Sequence, residues 1–375
     1  MITNYAKDIV AIVFRWVNSR LVRRTGEGRR INNILVSQIF NIGDVVLTTP
    51  ALEDLRETFP GARITFLISQ NNRIIVVSNP NIDRIVGFHS NRSHGIAGVL
   101  AIFRAYLELR GGNFDLSIHF DRDAKPVILA LLLGINERIG FKLKDGAGRD
   151  SGYRFEFLLT KSMCDSDTLE IHRSEGCRKL GQLVGSRCET YRYPKVCIRE
   201  EDRKFANEFF LKNQVGAKHT TILIHPGASL EAKRWPIANF EMMAQMLLVR
   251  PGRKVIFCFG PQESSLSKES FGSFVGNNII ILTGCSMLEY AAVAGKANLF
   301  VGNDSGPMHI AAAMGTPCII SFVPEDARLL APYWVRNTCL KSGADIGRDG
   351  GDLRASVTVE DMVKACEDML SIPTK

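Results

Sequence analysis

The sequence lacks several features by which metal, secreted and membrane proteins are recognised. Its nine cysteines are scattered singly along 375 residues, with no Cys-x-x-Cys pair and no Cys/His cluster at metal-ligand spacing. This pattern argues against zinc and iron–sulfur sites, and it is typical of reduced thiols in a cytosolic protein rather than of a secreted disulfide framework. The longest apolar run, Val127 to Ile135, is about half as long as a bilayer span, so we expect no transmembrane helix.

Two nucleotide-binding signatures are also missing. There is no Walker pattern and no G-x-G-x-x-G, which weakens the P-loop and dinucleotide-binding hypotheses. What is present is the composition of an ordinary globular protein, with 45% hydrophobic and 23% charged residues. At about 150 residues per domain, the length predicts two domains.

The positive charge is concentrated at the start of the chain. The first 30 residues contribute +5 of the net charge of +8, so the remaining body is only mildly basic. Apolar residues in this leader recur at helical spacing, at Val10, Val13, Phe14, Val17 and Leu21, which predicts a basic amphipathic helix. Two interpretations stay open: the helix lies on anionic lipid, or it packs on the body of the protein.

From Ile31 onward, short β-branched runs alternate with helical stretches, which predicts parallel sheets covered on both faces by helices. The runs are Ile34–Val36, Arg63–Ile68, Arg84–Phe88, Leu116–His119, Thr221–His225, Lys254–Phe259, Ile279–Leu282, Leu299–Gly302 and Pro317–Phe322. They form one group before about residue 160 and another after about residue 220. We therefore expect a leader over residues 1–30, a first α/β domain over 31–195 and a second over 196–375.

The first strand-to-helix turn that contains a candidate catalytic residue is Asn41-Ile42-Gly43-Asp44. Gly43 permits a tight turn, and Asp44 then lies at the mouth of the sheet near a helix N-terminus. A carboxylate there can act as a general base for an incoming hydroxyl. The alternative is that Asp44 only caps the helix.

The second turn follows the strand Thr221–Ile224 and runs through Gly227 and Ser229 to Lys233. Its backbone N–H groups can approach an anion, and Lys233 supplies a mobile positive charge for a phosphate. The same residues could equally form a solvated surface loop.

The third turn follows Leu299–Gly302 and opens a helix with an N-cap Ser305 and Pro307 in the first turn. The N–H groups at Ser305 and Gly306 point to an anion site, since the helix dipole favours negative charge there. His309 would lie beside that site, either as part of it or as a structural histidine.

Taken together and in order, the three turns resemble those of the heptosyltransferases, glycosyltransferase family 9, which have the GT-B fold of two Rossmann-like domains facing a cleft. The matching segments are GDVVLTTPAL from Gly43, HPG from His225, KRWP from Lys233 and GNDSGPMH from Gly302. Order and spacing match from Ile34 to about Tyr333, which is most of the chain.

The resemblance implies a role for each matching residue. Asp44 is the implied catalytic base, Lys233 binds the nucleotide-sugar phosphates, and Glu263 holds the ribose hydroxyls. Asp304 faces the donor sugar. The other implied donor-binding residues, with Ser305 and Gly306 offering N–H groups to the pyrophosphate, are Gly43, Gly227, Ser229, Ser305, Gly306 and His309.

The acceptor side is less defined. The family holds an acidic acceptor sugar with basic residues of the first domain, which makes candidates of Arg122, Arg138, Lys142 and Lys144. Asp121-Arg122-Asp123 is the nearest match to a metal-binding Asp-x-Asp pair, and we interpret it as a cleft or acceptor feature.

The resemblance thus implies an inverting glycosyltransferase that needs no metal or other cofactor. It moves a heptose or a related sugar from ADP-heptose or another nucleotide sugar to the inner core of lipopolysaccharide or a related cell-envelope glycan. The expected partners are a nucleotide sugar, a lipid-linked glycan and the anionic inner face of the cytoplasmic membrane, but no nucleic acid. Two alternatives are a non-catalytic sugar-nucleotide-binding protein at the membrane surface and an NAD-dependent oxidoreductase, which the missing glycine fingerprint disfavours.

Overall fold

The computed structural model describes residues 30–89, 96–142, 156–164, 170–186, 189–260, 263, 278–322, 327–341 and 357–372. The predicted leader helix and Lys144 lie outside these residues. The chain divides into two compact units, Met1–Pro194 and Lys195–Lys375. Each unit is described below by itself.

The first unit is built on a parallel sheet of six strands in the order β3-β2-β1-β4-β5-β6. Its strands are β1 (Asn33–Gln38), β2 (Arg63–Ser69), β3 (Arg84–Phe88), β4 (Leu116–His119), β5 (Glu137–Lys142) and β6 (Lys161–Cys164). Its helices are α1 (Ile42–Thr58), α2 (Ile96–Leu109), α3 (Ala124–Leu132) and α4 (Arg173–Gln182).

The second unit repeats this plan, with a parallel sheet in the order β12-β11-β10-β7-β8-β9. Its strands are β7 (Thr220–His225), β8 (Arg253–Cys258), β9 (Ile279–Leu282), β10 (Leu299–Asn303), β11 (Cys318–Phe322) and β12 (Asn337–Lys341). Its helices are α5 (Glu200–Lys212), α6 (Ile237–Leu248), α7 (Met287–Ala294), α8 (Gly306–Ala313), α9 (Ala327–Leu330) and α10 (Val359–Ser371).

The predicted α/β class with parallel sheets is confirmed, and each of the nine predicted runs coincides with a strand. Three strands were missed: β5, β6 and β12. Two of them, β6 and β12, lie at sheet edges, and all three mix polar with apolar residues. Such short mixed segments give no clear periodicity, which is the main signal for a strand in a sequence.

Helix α1 carries a proline in its interior without ending there. Pro50 has no N–H to give to the carbonyl of Val46, four residues earlier. The Thr49 hydroxyl donates to that carbonyl instead, at 2.8 Å. The Thr-Thr-Pro segment is therefore compatible with a helix that continues to Thr58.

Among the described residues, no helix is both long and apolar enough to cross a bilayer.

Candidate active site

The turn between β1 and α1 presents a carboxylate at the carboxyl edge of the first sheet. Asn41 occupies the N-cap position, and Asp44 follows in the first turn of the helix. The Asn41 amide donates to Oδ2 of Asp44 at 3.2 Å, and an Arg173 guanidinium nitrogen lies 3.5 Å from Oδ1. The Asp44 side chain is 19% exposed, so this carboxylate is accessible to solvent and has a cationic neighbour.

Arg173 is a site residue that sequence reasoning missed. It is the first residue of α4, and α4 packs against α1. The pairing is anchored by Asp54 of α1, which accepts hydrogen bonds at 2.7 Å from Arg178 of α4 and from Arg192. An isolated arginine at a helix start carries no motif, so only tertiary packing reveals its place beside Asp44.

Asp44 faces a cavity of about 320 Å³. The size lies at the lower end of the range for small-molecule sites, which is about 300–1,000 Å³. All of its lining residues belong to the first unit, and they are Gln38, Phe40, Asn41, Asp44, Phe120, Asp121, Arg122 and Arg173. The cavity thus gathers two carboxylates and two guanidinium groups around space for a sugar-sized group.

The structure separates the predicted acceptor residues. Arg122 lines the Asp44 cavity, and its guanidinium lies 5.3 Å from the ring centroid of Phe141. Arg138 is buried and donates to the backbone carbonyls of Leu158 and Ile135, and burial lowers its pKa to about 10. Lys142 is exposed at the end of β5. Of the described candidates, Arg122 alone lines this cavity.

In the second unit, Asn303 joins the two predicted phosphate-binding turns. It is the last residue of β10 and fully buried. Its amide nitrogen donates to the Pro226 carbonyl at 2.8 Å, and its amide oxygen accepts from the Trp235 N–H at 2.9 Å. One side chain therefore holds both ends of the loop that contains Gly227 and Lys233. Sequence reasoning placed Asn303 in a motif without assigning it this role.

Lys233 and Asp304 form an ion pair at the start of α8. The Lys233 ammonium donates to Oδ2 of Asp304 at 2.7 Å, and both side chains are largely buried. His309 Nε2 lies 3.8 Å from the other carboxylate oxygen, Oδ1. Three residues that the sequence predicted for one donor site are thus brought together.

The N-terminus of α8 adds a second feature to this cluster. Ser305 occupies the N-cap position with extended backbone angles, φ −154° and ψ 164°. Its buried hydroxyl oxygen has no hydrogen-bond partner among the residues that the structure describes. Gly306 and Pro307 then begin the helix, and Tyr290 donates to the Pro307 carbonyl at 3.0 Å. The Ser305 hydroxyl and the helix N-terminus together suit an anion.

Glu263 lies against the loop that follows β7. Its Oε2 accepts from the Gly260 N–H at 3.0 Å. A Cβ on Gly227 would lie 2.6 Å from its Oε1 and 2.9 Å from Nε2 of His225, so a larger residue here would displace these side chains. His225 is buried and its Nδ1 lies 3.0 Å from the Cys258 carbonyl, which means that Nδ1 carries the proton. Burial lowers the pKa of His225 and keeps it neutral.

The remaining predicted residues have simpler positions. Gly43 is buried as the second residue of α1, and Ser229 is exposed in the loop after β7. Asp123 caps α3 by accepting from the Lys125 N–H at 2.8 Å. In the described part of the chain, no three His, Cys, Asp or Glu side chains are grouped to hold a metal ion.

Comparisons with known proteins identify the family and the fold. The chain is 27% identical to lipopolysaccharide heptosyltransferase 3 of Escherichia coli over 304 residues, covering 78% of this chain and 83% of that enzyme. A glycosyl transferase family 9 structure from Veillonella parvula superposes with a TM-score of 0.77 at 23% identity, covering 91% of this chain and 98% of that one. The E. coli ADP-heptose lps heptosyltransferase II gives a TM-score of 0.72 at 16% identity, with the same coverage of 91% and 98%.

These structural likenesses confirm the predicted GT-B fold. The family model of glycosyltransferase family 9 (heptosyltransferase) matches residues 102–348, which is more than half of the chain and includes the Lys233, Asp304 and His309 cluster. On this evidence the chain is a glycosyltransferase enzyme and belongs to glycosyltransferase family 9.

Proposed function

We propose that this enzyme transfers a heptose from ADP-heptose to a lipopolysaccharide inner-core acceptor, with inversion at the anomeric carbon and without a metal ion. One observation carries the proposal. The ion pair of Lys233 with Asp304 lies at the N-terminus of α8, and an ammonium group beside free helix N–H groups suits a diphosphate attached to a sugar. The matching E. coli enzymes are named for the transfer of heptose to lipopolysaccharide.

The donor site follows from the chemistry of the second unit. An ammonium group has three donor hydrogens, so Lys233 can hold Asp304 and a phosphate oxygen together. The Ser305 hydroxyl and the N–H groups of α8 take the other phosphate oxygens. Glu263 accepts hydrogen bonds from the ribose hydroxyls, and Asp304 takes those of the heptose.

The acceptor hydroxyl is activated in the cavity of the first unit. Asp44 removes the proton as the oxygen forms its bond to the anomeric carbon. The bond from that carbon to the diphosphate breaks on the opposite face, and ADP leaves with the electron pair. Arg173 and Arg122 hold the acidic groups of the acceptor, since guanidinium pairs with carboxylate or phosphate in a bidentate manner.

The leaving diphosphate needs a counter-charge. Lys233 and the dipole of α8 supply positive charge in a partly buried site, where such interactions are stronger than in water. This is the role that a divalent cation has in metal-dependent glycosyl transfer. We therefore propose that no metal or other cofactor takes part.

We further propose that the enzyme works at the inner face of the cytoplasmic membrane, where a lipid-linked acceptor is displayed. The basic leader is one contact with anionic lipid. Helix α2 is a second, because Arg104 and Arg110 are exposed beside a row of exposed apolar side chains. Those side chains are Val99, Leu100, Phe103 and Leu107. Basic residues around an apolar row suit an anionic interface.

A donor screen tests the proposal. The purified enzyme is titrated with ADP-heptose, UDP-sugars and GDP-sugars in EDTA while the melting temperature is followed. A selective rise with the ADP-sugar is expected, because a ligand that binds only the folded state stabilises it. Transfer to a delipidated inner-core acceptor should proceed in the same buffer. Selective stabilisation by a UDP- or GDP-sugar, or a strict need for Mg²⁺ or Mn²⁺, would contradict it.

A further inference from the structure

Asp121 is a second carboxylate in the cavity that holds Asp44. It lies two residues beyond β4, at the carboxyl edge of the sheet, and is 5% exposed. None of the steps proposed above uses it. A buried carboxylate in a substrate-sized cavity therefore needs an explanation of its own.

The surroundings of Asp121 differ from those of a structural aspartate. Neither of its carboxylate oxygens makes a hydrogen bond of ordinary geometry among the described residues, although the Ser37 hydroxyl and the backbone N–H groups of Ile39 and Asp123 lie near enough to lower its pKa. Asp54, which is equally buried, is held by Arg178 and Arg192 at 2.7 Å. Buried charged groups without partners carry a large desolvation cost, so structural aspartates are normally paired as Asp54 is.

Within the described part of the chain, the groups around Asp121 include no cation that pairs with its carboxylate. The pKa of Asp121 is raised to about 7, mainly by burial and in part by the charge of Asp123, and this is the net value after the Ser37 hydroxyl and nearby backbone N–H groups have lowered it. His119 is neutral, because burial lowers its pKa to about 3. Its two ring nitrogens lie 2.9 Å and 3.0 Å from the hydroxyls of Ser37 and Ser117.

Two nearby cations, Lys125 and Arg173, are already paired with other carboxylates. Asp123 pairs with the Lys125 ammonium at 2.9 Å. Arg173, which lines the cavity, is already directed to Asp44. An incoming neutral donor is therefore the group that best completes the environment of Asp121.

We propose that Asp121 is an acceptor-binding residue whose carboxylate accepts a hydrogen bond from a sugar hydroxyl other than the one that Asp44 deprotonates. This inference rests on the proposed function. A sugar offers several hydroxyls at fixed spacing, so one bound to Asp121 places its neighbour against Asp44. The acidic groups of the acceptor go to Arg122 and Arg173, since Asp121 repels them. Asp121 thus makes the site selective for acceptors with a particular arrangement of hydroxyl groups, which Asp44 alone would not distinguish.

The test compares Asp121→Asn with a matched control, Asp115→Asn, at the opposite end of β4. Asp115 accepts from the backbone N–H groups of Asn32 and Asn33 at 2.8 Å and 3.1 Å and does not line the cavity. We expect Asp121→Asn to raise the acceptor KM about 10- to 100-fold, which corresponds to loss of a charged hydrogen bond. The affinity for ADP should not change, and the control should keep the wild-type acceptor KM.

The pH profile separates binding from a structural effect. In the wild-type enzyme, kcat/KM for the acceptor should fall below a pH of about 7 as Asp121 takes up a proton, and this bend should be absent from Asp121→Asn. Among acceptors that each lack one hydroxyl, one should bind poorly to the wild type, and Asp121→Asn should be indifferent to that loss.

The outcomes are distinguishable. If the wild type transfers sugar but Asp121→Asn keeps its acceptor KM and its pH bend, the role of Asp121 is wrong and the proposed function stands. If every deoxy acceptor affects both proteins equally, the role is also wrong. If the wild type transfers heptose to no inner-core acceptor, the proposed function fails and this inference fails with it.

Discussion

Asp54 and Asp121 are both buried aspartates of the first unit, and they meet the cost of burial in opposite ways. Two guanidinium groups compensate Asp54. Asp121 has no such compensation, and burial raises its pKa to about 7. Residues that destabilise the free protein are expected where a ligand later satisfies them. The contrast therefore yields a prediction about stability as well as one about binding.

Folding stability should depend on pH through Asp121. Its folded-state pKa is about 7 against an ordinary value of 3.8, so the folded state binds more protons between those values. Stability therefore falls as pH rises through this window. The penalty is absent below the unfolded pKa and complete above about pH 7, and its upper limit is about 4 kcal/mol. His119 acts in the opposite sense, since its low pKa costs stability as pH falls below 6.5.

Urea unfolding of the wild type and Asp121→Asn at pH 5 and pH 8 isolates this effect, because both proteins share His119. Asp121→Asn should gain more stability over the wild type at pH 8 than at pH 5. An equal difference between the two proteins at both values would show that Asp121 does not titrate in this range.

Lys233→Ala should weaken the binding of the donor and of ADP by similar factors, because the phosphate contact exists in both complexes. Calorimetric titration with each ligand measures this. Lys296→Ala is the matched control, since Lys296 donates to Asn207 elsewhere in the second unit. Loss of donor affinity with unchanged ADP affinity would place Lys233 at the sugar instead of the diphosphate.

At the scale of elements, Asn303 links the strand β10 to the loop that carries Gly227 and Lys233. Asn303→Ala leaves the Trp235 N–H and the Pro226 carbonyl without this partner, at a cost of about 1–3 kcal/mol. The loop should then be less ordered, so ADP affinity should fall along with the free energy of unfolding.

The control for Asn303 is Asn298→Ala at the other end of β10. Asn298 accepts from the Thr221 N–H at 2.8 Å, so its loss should destabilise the unit without changing ADP affinity. If Asn303→Ala unfolds more easily but binds ADP as the wild type does, the residue is structural and does not organise the donor site.

The strands that could be predicted from sequence are those that contain a run of β-branched or other apolar residues. β1, β7 and β10 are central strands and appear as continuous β-branched or apolar runs, and their turns carry the matched motifs. β5, β6 and β12 were missed because polar residues interrupt them, whereas the edge strands β3 and β9 were predicted from their apolar runs. The sequence marked Asp121-Arg122-Asp123 as a cleft or acceptor feature, but it did not predict Arg173, because Arg173 reaches the cavity only through the packing of α4 on α1, which no local pattern encodes.

At the scale of the whole molecule, the fold repeats one parallel α/β plan in two units, and the family is established by a match over residues 102–348. The family could be recognised from the three predicted turns because each contains its motif residues at the carboxyl end of a strand, where such sheets bind ligands. The leader lies outside the family match, and residues 1–29 lie outside the described residues. Its role is thus open to a direct test.

Removing residues 1–30 should release the protein from anionic vesicles while leaving transfer to a soluble, delipidated acceptor nearly intact. The leader carries +5 of net charge, and each basic residue near the surface contributes about 1 kcal/mol, which salt screens. Co-sedimentation with vesicles over a salt series measures the effect.

Two results would change this account of the leader. If the truncated protein still co-sediments with unchanged salt sensitivity, the anchor lies elsewhere, and Phe103→Asp in the truncated protein then tests helix α2. If the truncated protein unfolds, the leader packs on the body of the protein.

The most direct test of the central claim compares the wild type with Asp44→Asn in one assay of heptose transfer from ADP-heptose to a delipidated inner-core acceptor, in EDTA. The account predicts that the wild type turns over without metal and that Asp44→Asn loses about 10²–10⁴-fold in kcat, because a general base contributes a factor of this size. ADP affinity, measured alongside, should be the same for both proteins. Near-normal turnover by Asp44→Asn would contradict the account.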